Sequence, residues 1–244
     1  MSMVGRYHVG ARVEVFSLAD YVALGFFLAA WIGYKILVEH SRWADQSLNV
    51  MMNNYRHVWM ARMLERELRI IDTTIMATLQ NGTAFFASTS LIVIGGALAL
   101  LRSTDEVLNL VADLPLGIET TRFAWELKVI GLVAIFGYAF FKFSWSYRLF
   151  NYAAILIGAT PMVEKGHAPD AQARAAAARA GQMAVVAGRH FNRGQRAFFF
   201  ALAYLGWFLS PYLFFLTTAA VLFVMARRQF ASEARAALDV QHRD

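Results

Sequence analysis

Four apolar stretches, each continuous with an Arg-studded segment of helical character, constrain this chain more than any other feature. They cover residues 18–38, 83–101, about 123–141 and 197–225. At about 1.5 Å per helical residue, each crosses or nearly crosses a hydrocarbon layer about 30 Å thick. In that solvent every backbone polar group must be bonded internally, and the period of the apolar residues is helical, so the expected fold is an all-α integral membrane four-helix bundle. Composition points the same way: 58% of the 244 residues are hydrophobic and 16% are charged. The mean hydropathy of +0.44 is too high for an ordinary soluble domain of this size. The absence of cysteine excludes disulfides, thiolate zinc sites and iron-sulfur clusters.

The net charge of +6 rests on 19 Arg and 4 Lys against 17 carboxylates. In a soluble protein that balance would suit nucleic acid. Here no basic cluster is interleaved with a base-reading fold, so the cations are read as flanks that meet anionic lipid headgroups, with no nucleic-acid partner. Residues 39–81 hold Arg42, Arg56, Arg62, Arg66 and Arg69, and residues 142–196 hold eight basic residues. The 102–122 connection holds Arg102 and Arg122 against Asp105, Glu106, Asp113 and Glu119. The first and third connections of a multi-pass cell-membrane protein therefore read as cytoplasmic, with both termini opposite. Arg6, Arg12, Arg227 and Arg228 pull against that orientation.

The connections are not polar linkers. Val50, Tyr55, Val58, Met63, Leu64, Leu68 and Ile71 keep a helical period with no Pro or Gly. One helix of about 50 residues, roughly 75 Å, is expected from residue 49 through the second span. Residues 149–157, past the third span, are too apolar to stand in water and must pack against a neighbour. Pro161 and Pro169 bracket a polar hinge, and an Ala/Arg helix resumes at Ala171. Pro211, between Trp207 and Tyr212, is expected to kink the fourth span. The whole chain, 1–244, thus reads as one membrane domain with helical cytoplasmic extensions at about 42–82 and 142–196.

Three strings carry a family resemblance: Trp59-Met60-Ala61-Arg62-Met63, residues 81–90 (Asn81-Gly82-Thr83 through Ser88-Thr89-Ser90), and residues 191–199 (Phe191-Asn192-Arg193-Gly194-Gln195-Arg196 onward). The chain resembles domain-of-unknown-function family number 599, membrane proteins of bacteria and plants, over about residues 20–230. The resemblance implies four spans and assigns neither an activity nor a site.

On the second span, Thr73, Ala77, Asn81, Ala84, Ser88 and Gly95 recur at three, four or seven residues and share a face. Small residues there let helices touch, and Ser or Thr bonds back to its own turn. Alternatively the face lines an aqueous path in an oligomer, with Asn81, Thr83, Ser88, Thr89 and Ser90 offering oxygens. Arg62, Arg66 and Arg69 are interleaved with Glu65, Glu67 and Asp72, so Glu65–Arg69 and Arg69–Asp72 form helical pairs. In an oligomer those three arginines would ring a cytoplasmic mouth or bind lipid phosphates. Glu126 near the third span requires a partner such as Arg122 or Lys128 if buried.

Histidines 8, 40, 57, 167, 190 and 242 lie outside the span centres, and none pairs with another at i,i+3 or i,i+4, so neither metal nor cofactor is expected. No phosphate-cradling Gly loop and no nucleophile with a visible base accompanies them, so the expectation is a non-enzyme. Three functions remain: first a homo-oligomeric channel or permeation protein using the polar face of the second span, then an accessory or scaffold protein that docks a partner or lipid on its cytoplasmic helices, and last a membrane enzyme acting on lipid, suggested only by the Arg clusters near headgroup depth.

Overall fold

Helix-start signals divide the chain more finely than its apolar windows do. The computed structural model describes residues 15–112, 120–164 and 166–239. Arg6, His8, Arg12, Asp113, Glu119 and His242 lie outside them. Ser17 caps α1 (Leu18–His40) in a reciprocal box with Asp20, and Ser47 caps α2 (Leu48–Met63). Helix α3 (Ile70–Arg102) is followed by the short α4 (Thr104–Ala112). Thr121 caps α5 (Arg122–Ala159), and Asp170 caps α6 (Ala171–Tyr204), which ends in a 3-10 turn at Leu205–Phe208. Ser210 then caps α7 (Pro211–Phe230), with the short α8 (Glu233–Asp239) after it. No strand occurs among the described residues. Helices α1, α3, α5 and α7 are long and apolar enough to cross a membrane.

Two expectations are corrected by this division. The single helix through residues 49–101 is broken at residues 64–69. The break lacks Pro and Gly; tertiary bonds hold it, with Trp59 Nε1 donating to Asp72 at 2.7 Å and Arg66 paired to the same carboxylate. The fourth stretch, 197–225, is not one kinked span. Pro211 occupies the first turn of a new helix, where its missing N–H would have no partner anyway. The chain reverses before it: Thr217 Oγ1 donates to the Ala203 carbonyl, and the Arg228 guanidinium lies over the Phe199 ring. Residues 197–204 therefore belong to α6, antiparallel to α7.

Cross-helix contacts give the order. Helices α1, α5 and α7 run one way, and α3 and α6 run the other. Gln80 bonds Asn151, Ser146 bonds the Ala187 carbonyl, and Tyr34 bonds the Met225 carbonyl. Phe27, Ile94, Phe136, Phe200 and Phe214, one from each long helix, share a single core cluster. Its centre is filled by rings: Trp31 stacks on Phe200 at 5.1 Å and Trp207 on Phe214 at 5.2 Å. Outward, Ile32, Ile92, Phe141 and Phe223 are exposed, as expected of a lipid-facing surface.

Beyond this slab, α2 and parts of α3, α5 and α6 form a second core. Met60, Met63, Met76, Phe150 and Ile157 pack against Ala173, Ala177, Ala180 and Ala184 of α6. The alanines share one face, and the absence of bulk lets α2 and α5 come close. This accounts for the apolar run at residues 149–157, which is covered on several sides. Gly194 is needed where α6 crosses α5, because an added Cβ would sit 2.7 Å from the Phe143 ring.

Candidate functional site at the basic end of the bundle

The end of the bundle where α1, α5 and α7 finish collects most of the cations that bracket the membrane slab. Glu39 lies in the last turn of α1, and Arg193 and Arg196 share a face of α6 at i,i+3. Antiparallel packing of α1 and α6 brings them together. Arg193 donates through Nη2 and Nε to the two Glu39 oxygens at 2.7 and 3.1 Å, and Arg196 Nη2 donates to Oε1 at 2.8 Å. The Arg196 side chain is 6% exposed and that of Glu39 17%. The Arg196 guanidinium also lies over the Tyr34 ring. Two guanidinium groups thus share one carboxylate, a positive excess that is largely desolvated.

Several clefts open around this triad. One of about 390 Å3 is lined by Glu39, Asp45, Asn49, Arg189, Asn192 and Arg193. Another of about 220 Å3 lies between Tyr34, Arg196, Phe199, Arg228 and Gln229. A third, about 250 Å3 and more apolar, runs from Met52 and Arg56 to Thr83, Phe150 and Phe191. Arg56 bonds Asn53 and packs on Gly188, and its burial lowers its pKa from the ordinary value. A fourth, about 100 Å3, is lined by Trp31, Lys35, Tyr138, Lys142, Arg193 and Arg196. The set can hold anionic groups; no cluster of His or carboxylates able to hold a metal is present among the described residues.

The residues singled out on α3 divide by direction. Asn81 and Ser88 are exposed and point away from the bundle. Thr83 is buried and donates to the Leu79 carbonyl, while Thr89 donates to Phe85 and Ser90 to Phe86. Those three hydroxyls therefore serve their own helix turn. A Cβ added at Gly82, Gly95 or Gly96 would meet nothing within 4 Å.

The three arginines also part company. Arg62 makes an exposed pair with Glu65 at 2.9 Å. Arg66 pairs with the buried Asp72. Arg69 donates to the carbonyls of Ile157, Thr160 and Pro161, closing the C-terminal end of α5. The expected Glu65–Arg69 and Arg69–Asp72 pairs are thus replaced, because the chain turns where a continuous helix was expected. Glu126 pairs with Arg122 at 2.9 Å, and Arg122 with Asp105 at 2.7 Å, at the opposite end. There Lys128 is the buried residue; its Nζ donates to the Trp207 carbonyl at 2.8 Å, and Trp207 Nε1 donates to Asp20 at 2.7 Å.

Residues 22–234 match the family described as "Protein of unknown function, DUF599". The chain belongs to that family. The match runs from α1 to α8 and so takes in both cores and the Glu39 triad. No match is found among curated proteins or among solved structures. Membership supports a polytopic membrane protein, in agreement with the four long apolar helices.

Glu39 had no visible role in the sequence because its partners lie more than 150 residues away. The one local signal is Arg193-x-x-Arg196 set directly before an apolar run, a pair of cations too close to hydrocarbon to remain without a counter-charge.

Proposed function

We propose that this is a non-catalytic membrane protein that docks an anionic group, on a lipid or a partner, at the basic end of its bundle. One observation carries the reading: Lys35, Lys142, Arg189, Arg193, Arg196 and Arg228 line adjoining clefts in which, among the described residues, Glu39 and Asp45 are the only carboxylates. Cations gathered that densely repel one another and favour an anion. In this reading the basic end faces the cytoplasm, where cationic flanks accumulate and anionic lipids are enriched. The apolar end of α6 inserts as a fifth segment, so the start of α1 and the end of α7 lie on opposite sides. Arg227 and Arg228 then fall on the cytoplasmic side with the other cations.

The test is retention of anionic lipid by purified protein. Nanodiscs of mixed phosphatidylglycerol and phosphatidylcholine are expected to yield protein enriched in the former after delipidation. Equal retention of both lipids overturns the reading.

A homo-oligomeric permeation protein is the second reading, favoured by the outward direction of Asn81 and Ser88 on α3. Rings fill the centre of the protomer, so a path would run between subunits along that face. It requires a closed ring of three or more copies by native mass spectrometry. It also requires conductance that Ser88→Leu abolishes with assembly intact; a clean monomer excludes it.

A further inference from the structure

The docking reading leaves open which cleft binds and what chemical group it takes. We propose that the cavity lined by Trp31, Lys35, Tyr138, Lys142, Arg193 and Arg196 holds a single phosphate group at the membrane surface. The inference rests on the docking reading and narrows it.

Three helices deliver four cations to this small volume: Lys35 from α1, Lys142 from α5, and Arg193 and Arg196 from α6. Glu39 offsets one of them. It occupies Nε and Nη2 of Arg193 and Nη2 of Arg196, so each guanidinium keeps further N–H donors. Neither Lys35 nor Lys142 has an ion-pair partner among the described residues; Lys142 lies over the Tyr138 ring at 5.1 Å. Its carboxylate-free lining distinguishes this cavity from the larger cleft beside it, where Glu39 and Asp45 take part.

Size and depth narrow the ligand. The cavity, about 100 Å3, has room for several waters or for one phosphate group. Lys142 follows directly on the apolar stretch of α5, and Lys35 lies in the last two turns of α1. Trp31 and Tyr138, with ring centroids 6.1 Å apart, mark the depth where aromatic side chains sit between headgroups and chains. Toward the hydrocarbon, Leu28 and Ile32 on α1 and Phe141 on α5 are exposed. A phosphate bound here has an apolar surface below it for acyl chains, the arrangement a phospholipid requires. Free phosphate carries the same group without that benefit.

Native mass spectrometry with phosphatidylglycerol and phosphatidylcholine at equal concentration tests this, on the full chain and two variants. The wild type is expected to retain one phosphatidylglycerol in strong preference. Lys35→Gln with Lys142→Gln should weaken that preference about tenfold or more, since both cations lie at headgroup depth. Arg56→Gln, in the neighbouring apolar cleft, should leave it unchanged. Inorganic phosphate at millimolar concentration should not compete if the ligand is a headgroup. If it does compete in the wild type and fails to bind the double-lysine variant, the site takes free phosphate. Preference that survives in the double variant and disappears with Arg56→Gln overturns the inference while docking stands. No preference in the wild type, with no phosphate bound, removes the docking reading itself.

Discussion

Trp59 on α2 donates its indole N–H to Asp72 on α3, at 2.7 Å, across a corner that has no Pro or Gly. Asp72 is fully buried and its Oδ1 also takes the Arg66 guanidinium, so two donors share one carboxylate oxygen in the first turn of α3, while Oδ2 has no hydrogen-bond partner among the described residues. Removing the charge leaves Arg66 half-buried and the indole unbonded. Asp72→Ala is expected to destabilise the protein by about 3 kcal/mol, the scale for breaking a buried pair. Thermal unfolding in detergent measures it, and the exposed pair variant Glu65→Ala should change stability by less than about 1 kcal/mol.

Glu39 holds a different balance, because it serves two guanidinium groups at once. Glu39→Gln should lower the melting temperature of the lipid-free protein, since Arg193 and Arg196 lose their shared counter-charge. It should also raise the stabilisation gained from an added anion, by linkage. The check is the shift in melting temperature on adding phosphatidylglycerol. A shift smaller in the variant than in the wild type would mean that the carboxylate helps to hold the anion.

The apolar windows were legible because the bilayer imposes length and composition on a helix locally. Asp170 and Ala171 show the same for caps: the hinge between Pro161 and Pro169 and the restart at Ala171 are written in the residues themselves. The α2–α3 corner was illegible because Arg66 and Asp72 meet each other and Trp59 only where the chain turns, Arg69 acts through carbonyls at the end of α5, and their local period remains helical. Ser210-Pro211 was legible in principle: a capping residue before Pro marks a helix start as readily as Pro marks a kink. The length of the apolar stretch favoured the kink. The Glu39 triad could not be read, since sequence separation hides it, whereas Arg62 looked equivalent to Arg66 until the turn placed one outside and the other against Asp72.

Glycines on α3 and α6 should respond in opposite ways to the same change. Gly194→Ala places a Cβ against the Phe143 ring in a fully buried contact and should cost about 1–3 kcal/mol. Gly95→Ala has open space and should be neutral or stabilising by up to about 1 kcal/mol through helix propensity. Thermal unfolding of the two variants decides this. Destabilisation by Gly95→Ala with loss of assembly would show that a second copy covers that face.

Acid stability should depend on His190. Burial is the main reason its pKa is lowered from the ordinary value, and Lys142 and Arg193 add to the effect while Glu39 opposes it. The unfolded chain therefore binds this proton more readily. The contribution of neutral His190 to stability is present above the ordinary histidine pKa of about 6.5 and is lost as pH falls through the lower folded value. Melting temperature against pH should fall less steeply in His190→Gln below pH 6; an unchanged slope would assign the acid sensitivity elsewhere.

Opposite placement of the two ends of α7 gives the most direct test of the five-segment arrangement. Tyr212 in the first turn of α7 is 77% exposed at the end that holds Asp20 and Lys128, whereas Glu233 follows α7 at the basic end. The absence of native cysteine makes Tyr212→Cys and Glu233→Cys clean reporters. In sealed cells, an impermeant maleimide should label the first and reach the second only after permeabilisation, because the cations hold the basic end inside. Labelling of both from outside would invert the orientation at one end and break the antiparallel pairing of α6 with α7. Protection of Tyr212→Cys in both conditions would restore a single tilted span through Pro211. The Thr217–Ala203 bond argues against that outcome, since it requires the two helices to lie side by side.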